Sequence, residues 1–306
     1  MPVKFGLTLP HFRQVASPEA IVEFAQRAEE LGYDSLWATD HVVVPEAAVS
    51  RFGEVFYEPL IVLGYVIPVT RRITLGTSAL ILPYRNPVVT AKMLATIDVL
   101  SKGRTIFAVA AGWAEDEFNA LGVPFRERGR LSDEYIRVFK ALWTQDVPEF
   151  EGRYFKIRNV RFAPKPVQKP HPPLWVGGNS EKGIRRAVRF GDGWHPTRPQ
   201  IPDLKQALAL LTQYCQRYGR DPKSLVISVR EPLKILDRRD EGYRQIPLIG
   251  TPDDIIEDLK QFKELGVQHF VLDTFYSVPE LDRETLADTF RTIERFVREI
   301  RPAVAA

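Results

Sequence analysis

Four times along the chain an amphipathic segment closes on a glycine and a short, unbroken apolar run follows: AQRAEELGYDSLWATDH, IDVLSKGRTIFAVAAGW, RRAVRFGDGWHPT and LKQFKELGVQHFVLDT. Gly32, Gly103, Gly191 and Gly266 stand where a helix needs a C′ residue with positive φ, and the runs behind them have the length and continuous hydrophobicity of strands buried on both faces. The repeated unit is helix, tight turn, parallel strand. The same patterns predict further strands at 3–9, 73–77, 174–176 and 225–231, and helices near 18–31, 58–69, 87–100, 130–144, 202–218, 252–264 and 283–301. Counted together they make eight strand and helix pairs.

That alternation, in a chain of 306 residues, predicts an α/β fold of the (β/α)8 TIM-barrel type, with an open doubly wound sheet as the alternative. The surplus length falls at 42–57, after the second strand, and at 145–173, before the fifth. The latter holds PEFEGRYFKIRNVRFAPKPVQKPHPP, a hairpin pattern followed by a proline-rich return that continues neither helix nor central strand. Both read as insertions on one domain spanning 1–306, since no linker, repeat period or low-complexity tract divides the chain.

Composition narrows the function classes. A chain 44% apolar and 11% aromatic buries a large core, which excludes general disorder. Its 42 Lys and Arg nearly balance 39 Asp and Glu, with no long basic block, so nucleic acid is not an expected partner. The single cysteine, Cys215, lies in a helical run with no thiol to pair with and is expected to pack. The opening residues MPVKFGLTLP enter a strand pattern without a charged region, apolar core or cleavage site, so a cytoplasmic location and no membrane partner are expected.

The stretch SLWATDHVVVP runs apolar from Leu36 and then stops on Asp40 and His41. In a (β/α)8 barrel the carboxyl ends of the strands carry the chemistry, and here they are polar throughout: Pro10-His11, Thr39-Asp40-His41, Thr77-Ser78, Gly112-Trp113, Gly177-Gly178-Asn179, His195-Pro196-Thr197, Arg230-Glu231 and Asp273-Thr274. Three of the five histidines occupy such ends. For any one of them a structural, hydrogen-bonded role is the plain alternative, and the clustering is the signal.

In LWVGGNSEKGIRRAVRFGDGW two glycines follow a strand, and Asn179 or Ser180 can cap the helix behind them. Backbone N–H groups and the positive helix end then face one point, where an anion such as phosphate would bind; a tight βα loop without ligand is the alternative. Arg185 and Arg186 stand near enough in sequence to assist. No two histidines have helix-ligand spacing and no carboxylate triad accompanies them, so no metal is expected; a G-x-S-x-G serine elbow is also absent.

The segments GYDSLWATDHV, ITLGTSALILPYRNPVVTAKMLATIDVLSKGR, AAGWAEDEFNALGVPFRERGRLSDE and PKPVQKPHPPLWVGGNSEKGIRRAVRFGDGWHP together resemble the luciferase-like monooxygenase superfamily, specifically its oxidoreductase subgroup dependent on coenzyme F-420 (8-hydroxy-5-deazaflavin). The resemblance covers nearly the whole chain. It implies a TIM barrel with the cofactor ring across its mouth, a non-proline cis peptide at Ser78–Ala79 behind the ring, and phosphate contacts from Gly177, Gly178, Asn179 and Ser180. It implies also His41 over the reactive centre, Asp40 holding or tuning that imidazole, and Gly112 and Trp113 along the ring or substrate pocket.

Hydride transfer at a deazaflavin needs a positioned carbon donor or acceptor and one managed proton, and histidine ordinarily titrates where such a proton can move either way. His41 is therefore expected to be the catalytic proton carrier. If the cofactor were FMN, the same site would serve a two-component monooxygenase that inserts oxygen and needs a separate flavin reductase; a non-catalytic flavin-binding barrel is a further alternative. The deazaflavin-dependent glucose-6-phosphate dehydrogenases place a tryptophan four residues after the histidine and a glutamate in the fourth-strand loop, where this chain has Pro45 and Trp113. That departure argues against sugar-phosphate oxidation. With Phe12, Phe52, Phe56, Tyr57 and Trp113 expected near the mouth, a small, weakly polar alcohol, carbonyl or activated alkene is the expected substrate, touched by Phe12, His11 and His195. Similar proteins often dimerise through helices of the second and third βα units, and EPLIVLGYVIPV and VVTAKMLATIDVL suit a homodimer.

Overall fold

The computed structural model describes residues 3–275 and 285–304. Eight parallel strands close into a barrel: β1 (Lys4–Thr8), β2 (Ser35–Ala38), β3 (Thr74–Ile81), β4 (Thr105–Ala110), then, past a short hairpin of β5 (Phe150–Glu151) and β6 (Lys156–Ile157), β7 (Leu174–Gly177), β8 (Gly193–His195), β9 (Val226–Pro232) and β12 (His269–Asp273). β12 pairs back on β1, Phe5 opposite Phe270, which excludes the open sheet. A two-stranded pair outside the barrel, β10 (Lys234–Ile235) and β11 (Ile249–Gly250), lies between β9 and β12 in sequence.

The outer layer is α1 (Pro18–Glu30), α3 (Pro59–Val66), α4 (Pro87–Leu100), α6 (Arg128–Thr144), α7 (Glu181–Phe190), α8 (Ile201–Arg217), α9 (Pro252–Glu264) and α10 (Leu286–Arg295). Two further helices sit in βα loops: α2 (Glu46–Phe52) after β2 and α5 (Glu115–Ala120) after β4. The insertions fall where expected, α2 in the 42–57 segment and the β5–β6 hairpin before the fifth barrel strand. The helix expected to 69 leaves α geometry at Val66 and continues as a 3₁₀ turn over Ile67–Val69, where Pro68 lacks the N–H an α turn would use. Of the helix expected over 283–301, positions 283 and 284 lie outside the described residues, and α10 starts on a Thr285–Asp288 capping box.

Gly32, Gly103 and Gly266 have the positive φ the turns call for, at 75°, 80° and 90°. Gly191 does not. Its φ is −92°, and a Cβ there would lie 3.0 Å from the Gly193 carbonyl oxygen and from Val176 Cγ2, so the glycine serves close approach of turn and strand instead of a left-handed cap.

Most of the apolar core fills the layer between strands and helices, while Trp37, Ala108, Trp175 and Val271 form a separate cluster inside the barrel. Trp37 and Trp175 stack at 5.4 Å, and room for them comes from glycine: a Cβ at Gly76 would stand 2.6 Å from the Trp37 ring, and one at Gly193 2.6 Å from Trp175. The polar edges of this cluster are paired internally. Trp37 Nε1–H donates to Ser35 Oγ at 2.7 Å, and Ser35 Oγ meets His269 Nε2 at 2.7 Å. Cys215 is buried in α8. Among the described residues no helix is long and apolar enough to cross a membrane.

Candidate functional site

At the carboxyl ends of the strands the barrel opens into a cavity of about 890 Å³. His41, three residues past the end of β2 at Ala38, stands in its wall. Its Nδ1 lies 2.9 Å from Glu117 Oε2, on the first turn of α5. Glu117 is wholly buried and accepts from three more donors: Tyr84 Oη at 2.7 Å, Val42 N–H at 2.5 Å and Val43 N–H at 3.2 Å. Burial by itself pushes this carboxyl up, but the hydrogen bonds from His41 and Tyr84 outweigh it and hold Glu117 below the usual carboxylate range. An ionised carboxylate has no proton to give, so Nδ1 carries the hydrogen and, in the neutral ring, Nε2 is the basic nitrogen. Among the described residues nothing bonds to Nε2.

Asp40, expected to hold or tune the imidazole, is not hydrogen-bonded to it. Its carboxylate takes a two-pronged ion pair from Arg85, at 2.7 and 2.8 Å, and the Ile81 N–H at 2.8 Å. Neighbouring residues leaving a strand end point to different sides, and Asp40 meets the loop after β3 where His41 meets the loop after β4. Glu117 was missed because GWAEDEF offers three acids in a row, and only the position at which α5 begins decides which of them faces inward. Tyr84 and Arg85 lie in a run that carries no chemical motif.

The Ser78–Ala79 bond is cis and both residues line the cavity. Arg230 donates to the Ser78 carbonyl at 2.8 Å while pairing with Asp273, and His195 Nε2 meets Ser78 Oγ at 2.7 Å. His195 is therefore a support behind the wall and does not reach the cavity. Its other nitrogen is engaged by Ser228 at 2.9 Å, it stacks on Trp37, and burial, then the nearby Arg230 charge, pulls its pKa down to about 3. His11 is likewise structural: Nδ1 donates to the Leu9 carbonyl at 2.8 Å, Nε2 accepts the Thr39 N–H at 3.0 Å, and burial lowers its pKa. Neither histidine meets substrate space, because each has both ring nitrogens spent on the barrel frame. Glu231 also turns away from the mouth; it is buried with neither carboxylate oxygen hydrogen-bonded among the described residues, and burial holds its carboxyl well above the usual range.

Opposite His41 lies the Gly177-Gly178-Asn179-Ser180 turn. Gly178 has φ 108°, Ser180 caps α7 by accepting the Gly183 N–H at 3.3 Å, and a Cβ on Gly183 would stand 2.9 Å from the Gly178 carbonyl oxygen. Asn179 clasps Thr197 through both amide atoms, at 2.8 and 3.0 Å, so its side chain shapes the turn and the backbone N–H groups remain for an anion. Arg185 is exposed beside the turn, whereas Arg186 is buried against Asp133 at 2.5 Å. A glycine-lined turn at a helix N-terminus, facing a cavity of this size, fits the phosphate and ring of a flavin-type cofactor.

Around His41 the walls are aromatic. Phe52, Phe56 and Trp113 have ring centroids 5.0, 5.1 and 5.9 Å from the imidazole, and Phe12 stacks on Phe56. Trp113 is 55% exposed at the lip. Gly112, at φ 84°, has no room for a side chain, since a Cβ would stand 2.7 Å from Phe118. Tyr57 does not line the cavity.

The model of the luciferase-like monooxygenase family matches residues 3–239. An F420-dependent glucose-6-phosphate dehydrogenase of Amycolatopsis mediterranei is 33% identical across 94% of this chain and 95% of its own length. The FMNH(2)-dependent dimethylsulfone monooxygenase of Pseudomonas putida is 37% identical over 123 residues, 39% of this chain and 34% of its own. The solved structure of an F420-dependent secondary alcohol dehydrogenase with an F420-acetone adduct superposes with a TM-score of 0.82 over the whole of both chains at 21% identity, which speaks for the fold.

Proposed function

The chain belongs to the luciferase-like monooxygenase family, whose relatives use either F-420 or FMN, and we propose that it is an oxidoreductase that moves a hydride between coenzyme F-420 and a small, weakly polar organic substrate. One observation carries the reading: His41 is held through Nδ1 by a buried carboxylate, leaving Nε2 as its basic nitrogen in an aromatic-walled cavity that also contains a phosphate-type turn.

Bound in this cavity, the deazaflavin supplies the site that gives or takes the hydride. The Gly177–Ser180 turn would hold its phosphate through backbone N–H groups, and the Ser78–Ala79 wall, fixed by Arg230 and His195, would back the ring. His41 Nε2 accepts the hydroxyl proton as an alcohol becomes a carbonyl, or donates one in the reverse direction. Glu117 keeps the tautomer fixed and steadies the charged ring that forms, without itself taking the proton. Phe12, Phe52, Phe56 and Trp113 keep water from the reacting carbon and favour weakly polar substrates. The glucose-6-phosphate dehydrogenase relative does not transfer its substrate here, since Pro45 and Trp113 stand at two of the positions that set such a site apart. Exposed Ile61, Tyr65 and Val89 on α3 and α4 support a homodimer as the working state.

Oxygen insertion with reduced FMN, fed by a separate reductase, is the second reading, favoured by the partial similarity to the dimethylsulfone monooxygenase. Absorbance and fluorescence titration of the purified protein with oxidised F-420 and, separately, with FMN decides between them. Micromolar or tighter F-420 binding with weak FMN binding is the expected result. The reverse preference sinks the hydride-transfer reading.

A further inference from the structure

Behind the cavity wall, side chains from three strands make one chain of contacts: Ser228 on β9, His195 at the end of β8, and Ser78 on β3, which β7 and β4 separate from β8. His195 Nδ1 and Ser228 Oγ are 2.9 Å apart, and His195 Nε2 and Ser78 Oγ 2.7 Å. Stacking on Trp37, at 5.6 Å and 13°, fixes the plane of the imidazole between the two hydroxyls. Among the described residues His195 is the one hydrogen-bond partner of either hydroxyl.

Burial, then the nearby Arg230 charge, pulls the His195 pKa down to about 3, so the ring is neutral at ordinary pH. A neutral imidazole carries one N–H, and with two hydroxyls the chain holds three polar hydrogens for two contacts. One hydrogen is left over, and the tautomer decides which. With the ring hydrogen on Nδ1, the imidazole donates to Ser228, Ser78 donates to Nε2, and the Ser228 hydroxyl hydrogen has no acceptor among the described residues. With it on Nε2, Ser228 donates to Nδ1, the imidazole donates to Ser78, and the hydrogen left over is that of Ser78. Ser228 is wholly buried and apart from the cavity, whereas Ser78 lines it. A buried donor without an acceptor costs enough to bias this choice about 10- to 100-fold towards Nε2–H. Arg230 meanwhile donates to the Ser78 carbonyl at 2.8 Å, so the residue is held at its backbone while its hydroxyl keeps one hydrogen to give.

We propose that Ser78 donates a hydrogen bond to the ring of the bound cofactor, turned towards the cavity by the His195 and Ser228 pair behind it. This rests on reading the cavity as the seat of a flavin-type cofactor, with Ser78 in the wall that would back its ring. The acceptor is a ring carbonyl or ring nitrogen. A hydride brings two electrons to such a ring, and the negative charge spreads onto those same acceptors, so a donor fixed in advance stabilises the reduced form more than the oxidised one. His195 and Ser228 act through Ser78 and are positioning residues.

The test uses the whole protein. Nitrogen NMR of histidine-labelled protein, with the His195 signal assigned by its loss in His195→Gln, is expected to show the Nε2–H tautomer; the Nδ1–H tautomer overturns the proposal. Oxidised and reduced F-420 are titrated anaerobically into the natural protein and into Ser78→Ala. The variant is expected to bind the oxidised form about threefold and the reduced form about tenfold or more less tightly, the difference between hydrogen bonds to a neutral and to a charged acceptor. Ser78→Cys, close in size but a weaker donor, should fall between the two proteins, and it carries the comparison if the alanine variant does not fold. Affinities equal to those of the natural protein, or an equal loss for both forms, overturn the donor and leave the F-420 reading standing. A natural protein that binds FMN and not F-420 overturns the F-420 reading, and the same ratio measured with oxidised and reduced FMN then decides the donor.

Discussion

His41 and Glu117 are 76 positions apart in the chain and 2.9 Å apart in space, and the contact fixes which nitrogen of the imidazole faces the cavity. The pair depends on Tyr84 and on two backbone N–H groups that saturate the carboxylate. A protein that only stored a cofactor would need the glycine turn but no such pair.

Replacing His41 with Ala should therefore lower kcat by about 10²–10⁴-fold, the range for a lost general acid or base, with cofactor affinity nearly intact. Glu117→Gln keeps the shape but removes the charge that steadies the imidazolium, and kcat should fall by about 10²-fold or more with a displaced pH profile. Titration of both variants beside their kcat values checks this. Equal loss of binding and turnover in His41→Ala would remove the residue from its proposed role.

Asp40 should behave quite differently from its neighbour. Its carboxylate is fully buried and Arg85 nearly so; without Asp40, Arg85 keeps among the described residues only the partly exposed Glu58, and the Ile81 N–H loses its acceptor. Asp40→Ala should cost about 1–3 kcal/mol of stability, the range for buried donors left without their acceptor, seen as a lower urea midpoint with unchanged slope. A midpoint equal to that of the natural protein would mean the Arg85 pair is not structural.

Acid should destabilise this fold through its buried histidines. His195 and His269 are pulled down to about 3 by burial, and His11 is lowered for the same reason, against an ordinary value of 6.5. Folded-state values below the unfolded ones mean the unfolded chain binds the extra protons, so this stability is complete above pH 6.5 and is lost as pH falls towards 3. Each histidine adds a slope of about 1.4 kcal/mol per pH unit inside that window. Denaturant midpoints between pH 4 and 8 should show it, and His269→Gln should flatten the curve by one histidine's share; an unchanged slope in that variant would count against the assignment.

The turn proposed to hold phosphate has its own probe in Gly183→Ala. The added methyl would meet the Gly178 carbonyl oxygen at 2.9 Å and push the turn out of shape. Cofactor affinity should fall about tenfold or more, as for loss of a charge-assisted contact, together with a lower denaturant midpoint, since the obstructing atom is backbone. A variant that binds as tightly as the natural protein would show that the turn is not where the phosphate sits.

The chain itself determined the barrel. Each helix, turn and strand unit is written within a short window, so the apolar runs behind Gly32, Gly103 and Gly266 could be read locally, and so could the glycine turn before α7. His41 was legible as an imidazole at a strand end. Only the tertiary structure decided which groups meet there, because partners at a barrel mouth come from loops far apart in sequence: Asp40 went to Arg85, His41 to Glu117, and His11 and His195 turned back into the frame. Gly191 looked like the other turn glycines, yet its backbone conformation was set by contacts with Val176 and Gly193.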